Sequence, residues 1–473
     1  MPDFLINIVS QGGDNPFSVF WFIFTSGGWI VMDAAMLWVL YLAYYDLIQS
    51  RYDRTVKHVL LAIDVPKENE QSFKAVEQIF ATLSGAHKDP NLTEIYLEGE
   101  FQLSFSFEIV SIDGYIQYMV RTPKRFRNLI ESAIFAQYPD AEITEIEDYT
   151  KNLPKDIPNE EWDLYGGEFI QTGSQYYPIR TWSEFEDKAT QTTADPMASL
   201  LEIMASLPPG EQIWFQIIVT PVSHKWKDKG DKLVKKLIGG KVETEYNAFE
   251  KVLYGTLNTL GFISEQTIGY GPTSPEEKTD APRSQMLFLS PGENVIVEAL
   301  EKKLAKIGFR CRTRALYIGR RETFSKKRIV SPIIGAIKQF NTHNLGGLKP
   351  DPIVSTNKAE YFFKRYRTRL KQVRIYRAFR DRSTWIGAAK GYGILNIEEL
   401  ATLWHFPLIN VKAPSLAKSL VRTTEPPTRL PVTPPGAERT ARGIQSNPLG
   451  GQALQRQPGE IGPAGPPTNL PIG

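Results

Sequence analysis

Cysteine is nearly absent from this 473-residue chain: Cys311 stands alone. One thiol excludes an internal disulfide framework and a cysteine-based metal cluster within the chain, and it suits a reducing compartment. Histidine is also scarce. The five, at positions 58, 87, 224, 343 and 405, form no H-x-x-x-H or H-E-x-x-H pair, so the spacing that sets two imidazoles on one helix face around zinc is missing. No G-x-x-x-x-G-K-[S/T] occurs. The nearest fragments, Ile238-Gly239-Gly240-Lys241 and Gly387-Ala388-Ala389-Lys390, lack the glycine spacing and the hydroxyl that cradle β- and γ-phosphates. There is no G-x-S-x-G elbow either. Glu398 and Glu399 are adjacent and would point apart on a helix. Cys311 sits in a strand pattern between Arg310 and Arg312, where a packed thiol is the natural reading. These absences argue against an enzyme, and no metal or cofactor is expected.

Enough apolar sequence remains to build cores. Apolar residues make up 42% and charged residues 23%, which excludes a small secreted scaffold, a collagen-like chain and a wholly disordered one. The length suggests about three domains. A net charge of only +2 hides an uneven distribution. Residues 310–392 hold 21 Lys and Arg against 4 Asp and Glu, so the rest of the chain is acidic. Such asymmetry points to an anionic partner, or to an acidic surface elsewhere in the molecule.

Positive charge is missing altogether before Arg51. The 20 residues Gly28–Leu47 are almost entirely apolar and as a helix would reach about 30 Å, the thickness of a bilayer's hydrocarbon core. Phe17–Thr25 is a shorter apolar patch before them. Trp21 and Trp29 at one end, and Tyr41, Tyr44 and Tyr45 at the other, resemble aromatic belts around a centre holding Trp38. Asp33 is one turn from the outer end, where a carboxylate reaches water. Arg51, Arg54 and Lys57 follow at once. The expectation is a single span over 17–48 in the inner membrane, with residues 1–16 outside and the bulk in the cytoplasm.

Beyond the span, residues 56–150 read as β-α-β-β-α-β, a ferredoxin-like order. His58–Val65 is a strand, and Phe73, Val76, Ile79, Phe80 and Leu83 mark a helix face. Leu103, Phe105, Phe107 and Ile109 alternate with Gln102, Ser104, Ser106 and Glu108, the period of a half-buried strand. Asp113-Gly114 is a hairpin turn signal. An acidic linker follows at 152–162. A looser second α+β unit is expected over 163–345, with 225–282 as an insertion and Phe309–Ile318 as a late strand. Residues 346–420 form a basic, aromatic segment. Residues 421–473 hold 11 Pro and 8 Gly and no aromatic residue, a composition expected to stay disordered. The predicted fold class is therefore α+β: a transmembrane helix, two ferredoxin-like units and a Pro/Gly-rich tail.

The basic features carry the functional signal. Arg310, Arg312 and Arg314 alternate along one strand and would share a face. Lys364, Arg365, Arg367, Arg369, Arg374, Arg377 and Arg380 interleave with Tyr361, Phe362, Phe363, Tyr366, Tyr376 and Phe379. Guanidinium groups neutralise phosphates and aromatic rings stack on bases, the combination used for single strands. Anionic inner-leaflet lipid, or the protein's own acidic surface, are the other readings.

Two stretches resemble a known family. One is Leu316-Tyr317-Ile318-Gly319-Arg320-Arg321-Glu322-Thr323-Phe324, continuing through Ile333–Asn341 to Asn344-Leu345. The other is Gly393-Ile394-Leu395-Asn396-Ile397-Glu398-Glu399-Leu400-Ala401-Thr402-Leu403-Trp404-His405-Phe406-Pro407. Both are similar to the N-terminal, non-motor region of membrane-anchored ATPases of conjugative DNA transfer and type IV secretion, over roughly residues 30–412. The resemblance implies a non-enzymatic platform or accessory subunit that docks a separate P-loop ATPase. No motor domain follows Pro407, so ATP hydrolysis is not carried over. Leu400, Leu403 and Trp404 would share one helix face, either core packing or a docking surface. His405 reads as a hydrogen-bonded cap. The rival expectation is a membrane-tethered protein that contacts DNA directly; self-association is open.

Overall fold

The computed structural model describes residues 29–66, 71–187, 192–238, 289–356, 362–387 and 392–408, with residues 17, 21, 24 and 25. Their architecture is mixed α+β. In chain order the elements are α1 (Trp29–Thr55), β1 (His58–Asp64), α2 (Phe73–Leu83), β2 (Phe105–Ile112), β3 (Tyr115–Pro123), α3 (Arg127–Gln137), β4 (Glu142–Ile146) and β5 (Trp162–Gln171). A small ladder, β6 (Glu186–Asp187) with β7 (Thr192–Thr193), precedes α4 (Ala198–Ala205), β8 (Glu211–Pro221) and α5 (Lys225–Leu237). Then come α6 (Pro291–Leu304), β9 (Gly308–Arg320), α7 (Lys326–Lys338), β10 (Leu348–Pro350), α8 (Lys364–Arg380), β11 (Gly393–Asn396) and α9 (Ile397–Leu403).

One antiparallel sheet carries all the long strands, in the order β10-β5-β9-β8-β2-β3-β1-β4, with β11 paired to β9. The first four strands run β4-β1-β3-β2 and the later ones β10-β5-β9-β8. The two quartets join through β2 and β8, paired from Phe105↔Val219 to Ile112↔Gln212. The segments 56–150 and 163–345 therefore share a sheet rather than standing as separate layers. The Asp113-Gly114 turn supplies the positive φ angles a tight hairpin needs, 54° and 85°. Asp113 also ties the hairpin to the next half: its carboxylate accepts from the Gly210 amide at 2.6 Å.

Both faces of the sheet are covered. On one, Phe80, Ile134, Phe107, Phe215, Phe309 and Trp404 share a core under α2, α3 and α9. On the other, Trp214, Leu316, Ile375, Tyr376 and Phe379 pack beneath α8. The alternation in β2 was expected to mark a half-exposed strand. Instead Ser106 and Glu108 are buried, because the second layer covers the face on which they lie. Glu108 is satisfied there by Arg382, whose guanidinium forks onto both carboxylate oxygens at 2.9 and 3.1 Å, and by the Tyr149 hydroxyl at 2.8 Å. Arg382 also engages Asp148.

The expected transmembrane helix is not found: among the described residues no helix is long and apolar enough to cross a membrane. The helix there, α1, has 27 residues, but Asp33 and Asp46 interrupt its apolar stretch and tyrosines dilute it. Most of the segment 17–28 lies outside the described residues, as do 239–288, which take most of the expected insertion, and 409–473, which take the expected disordered tail.

Candidate functional site

The three strand arginines do not share a common environment. β9 pairs with β5 and β8 over most of its length, so its residues face one covered layer or the other. Arg312 and Arg314 are buried against Glu168 of β5. Arg314 donates further to the carbonyls of Ala378 at 3.0 Å, Ser383 at 2.7 Å and Ile386 at 2.6 Å. Burial pulls its pKa down to about 10, against the opposing pull of Glu168. These two groups fasten the chain after α8 to the sheet, and neither presents a surface to a phosphate. Arg310 alone is exposed, at the end of β9, with its guanidinium 5.3 Å from the Tyr392 ring centre.

The arginines of α8 are placed differently. This helix contains no acidic residue. Ile375, Tyr376, Ala378 and Phe379 bury its second half on the sheet. Lys364, Arg365, Arg367, Arg369, Arg374 and Arg377 are exposed, and Arg380 is half-buried beside Asp381 at 3.6 Å. Phe362, Phe363 and Tyr366 are exposed beside them. The first two turns thus form a cationic, aromatic surface.

The Glu398–Phe406 stretch is a clasp, not a face for docking. Leu400, Leu403 and Trp404 have no exposed surface. Trp404 meets Phe107 at 4.9 Å, Phe406 at 5.1 Å and Tyr118 at 5.8 Å between ring centres. The sequence folds this way because Asn396 and Glu399 form a capping box, each side chain accepting the other's backbone amide. Glu399 also accepts from the Ile179 amide at 2.8 Å and pairs with buried Lys303 at 3.1 Å. Glu398 takes Lys306 at 2.7 Å and the hydroxyls of Thr181 and Ser183, both at 2.9 Å. Burial works against ionising Glu398, but Lys306 and Thr181 hold its pKa below the usual carboxylate range. His405 bridges the Ala401 carbonyl at 2.9 Å and Asp195 at 3.0 Å. The docking alternative for Leu400, Leu403 and Trp404 is therefore corrected. The periodicity was real, but the face it marks closes the main core.

The remaining surface is α1. From Met32 to Leu42 its apolar side chains are exposed; the consecutive residues Leu37, Trp38 and Val39 are 67%, 62% and 62% exposed. Three consecutive positions cover most of a helix's circumference, so no single stripe faces the body. Asp33 lies within this stretch and is exposed as well. The helix is rooted at its other end. The Tyr44 hydroxyl donates to the Tyr96 carbonyl at 3.0 Å, and Tyr41 and Tyr45 lie beside the Tyr96 ring. The Tyr52 hydroxyl donates to Glu100 at 2.9 Å. Ile48 and Gln49 are buried over Gly99, whose φ of +71° and contact with the Ile48 carbonyl leave no room for a side chain. Sequence reading marked Tyr41 and Tyr44 as interfacial but missed Tyr96 and Gly99. Their only signal was an isolated glycine after Glu98.

No protein with a curated description matches the chain. A family match does cover residues 57–419, most of the sequence, including the sheet and its clasp but not the apolar part of α1. The chain belongs to the family described as "Domain of unknown function (DUF8128)".

Proposed function

We propose that this protein is a non-enzymatic platform attached to a lipid bilayer through α1. The observation that carries the reading is the run of exposed apolar side chains from Met32 to Leu42 on a helix whose other end is fixed to the body. Apolar helix surface open to water gains stability when an apolar medium covers it. Burying such side chains is worth roughly 1.5–3 kcal/mol each, so even partial insertion would hold the protein at a membrane. Trp29 and Tyr41 suit the boundary between lipid and water. The helix inserts from the side on which the body lies, with Arg51 and Arg54 near the headgroups.

On this reading the two quartets are ferredoxin-like halves fused into one broad sheet, a rigid support. The resemblance of residues 316–324 and 393–407 to conjugative-transfer ATPases supports reading that support as part of a translocation machine of the conjugation or type IV secretion kind, beside a separate motor. Flotation with neutral phosphatidylcholine vesicles tests the attachment. The full chain should float, and Leu37→Glu with Val39→Glu should leave it at the bottom of the gradient. A wild-type chain that stays at the bottom contradicts the reading.

A second reading, direct contact with DNA, rests on α8. Six exposed cations there have no acidic residue on their own helix. Charge reversal at Arg365, Arg369, Arg374 and Arg377 should abolish salt-sensitive DNA binding if the helix is the contact.

A further inference from the structure

We propose that a cleft at the junction of β8, α5 and β9 binds single-stranded nucleic acid, holding its phosphates on Lys225, Lys229 and Arg310 and stacking a base on Trp385. The cleft has a volume of about 660 Å³ and is open to solvent. It goes beyond both readings above. Its residues are neither in α8 nor, apart from Tyr45 at its rim, in α1.

Three observations converge. The first is charge. Lys225 and Lys229 are one turn apart on α5 and therefore face the same way. Arg310 approaches from β9. All three are exposed, and among the described residues none makes an ion pair. A fourth cation, Lys88, is occupied by Glu94 at 2.9 Å and Glu100 at 2.5 Å. The carboxylates on the wall are Asp89 and Glu100, and Glu100 is taken up by Lys88 and by Arg125 at 3.7 Å. Unneutralised positive charge therefore dominates the opening.

The second is aromatic surface. Trp385 is 67% exposed, a high exposure for an indole, which is highly buried on average. Its ring lies roughly perpendicular to that of Phe101, ring centres 6.3 Å apart at 79°, and most of the indole stays exposed to solvent. Tyr392 stands behind it, with its hydroxyl bonded to the Thr384 carbonyl and Arg310 near its ring. The third is rigidity. Gly308 lies flat under Trp226, where a side chain would strike the indole at 2.7 Å, so α5 and β9 are set against each other closely. Cations spread over two rigid elements, with an open ring to one side, match the repeat of phosphate and unstacked base in a single strand. A lipid headgroup offers the phosphate but no base.

The test uses the full chain in detergent micelles and a fluorescein-labelled oligothymidylate of about 15 nucleotides, followed by anisotropy. Three neutralised phosphates predict a plot of log K against log salt with slope about −2. Lys229→Gln and Arg310→Gln should each flatten that slope by about 0.7. Trp385→Ala should weaken binding about tenfold with the slope unchanged. All three side chains are exposed, so thermal midpoints should not move, which separates loss of a contact from loss of the fold. Four results would overturn the proposal: no binding at low salt; binding untouched by these variants but lost on reversal of Arg365 and Arg369; displacement by AMP as effective, nucleotide for nucleotide, as by the strand; or binding of anionic vesicles with none of the oligonucleotide.

Discussion

Single residues in this protein are often charged groups pressed into its interior. Glu108 is the clearest case. Burial works against its ionisation, yet Arg382 and the neighbouring hydroxyls hold its pKa below the usual carboxylate range. Removing one member of such a set leaves the other charge buried and unpaired, which costs roughly 3–5 kcal/mol. Glu108→Ala should therefore lower stability by about that much in chemical denaturation, with Arg382→Ala comparable and the double variant well short of their sum. His58 gives a separate signature. Burial, aided by Arg121, pulls its pKa from 6.5 to about 4. Between those values the unfolded chain takes up a proton that the folded chain refuses. Stability contributed by neutral His58 is thus complete above pH 6.5 and declines as pH falls towards 4, by up to about 1.4 kcal/mol per pH unit. His58→Gln should shallow the fall of stability across that window. If its pH profile coincides with that of the parent chain, His58 is not held neutral by the fold.

At the scale of elements, the clasp decides how the chain closes. α9 is short, but its capping box, its two paired glutamates and Trp404 fix it across parts of the chain more than 200 residues apart. Trp404→Ala should cost about 3–5 kcal/mol and be read as a lower midpoint in urea; a loss below about 1 kcal/mol would mean the aromatic cluster is not a core. This element also shows what sequence can and cannot reveal. The spacing of Leu400, Leu403 and Trp404 marks an apolar helix face, and the structure has that helix. Spacing does not say what covers the face. The same ambiguity affected Ser106 and Glu108 on β2 and the arginines on β9. Alternation gives the side of the sheet, but a polar side looks alike whether it meets water or a second layer supplying Arg382 and the carbonyls of Ala378, Ser383 and Ile386. The hairpin at Asp113-Gly114 was legible because its turn chemistry is local. The root of α1 on Tyr96 and Gly99 was not, because nothing local announces a contact some 50 residues away.

At the scale of the whole molecule, three surfaces remain open for work: the apolar helix α1, the cationic first turns of α8, and the cleft around Arg310. The family match covers the body that bears the last two, while α1's apolar stretch lies outside it. Lipid attachment is accordingly the claim on which the platform reading depends. Cys311 is buried and its thiol is pushed up by burial, so a spin label placed at Trp38→Cys would report from that site alone. Power saturation of that label in the presence of phosphatidylcholine vesicles is the most direct measurement. The account predicts strong relaxation by dissolved oxygen and weak relaxation by a water-soluble nickel chelate; strong relaxation by nickel, unchanged when vesicles are added, would contradict it.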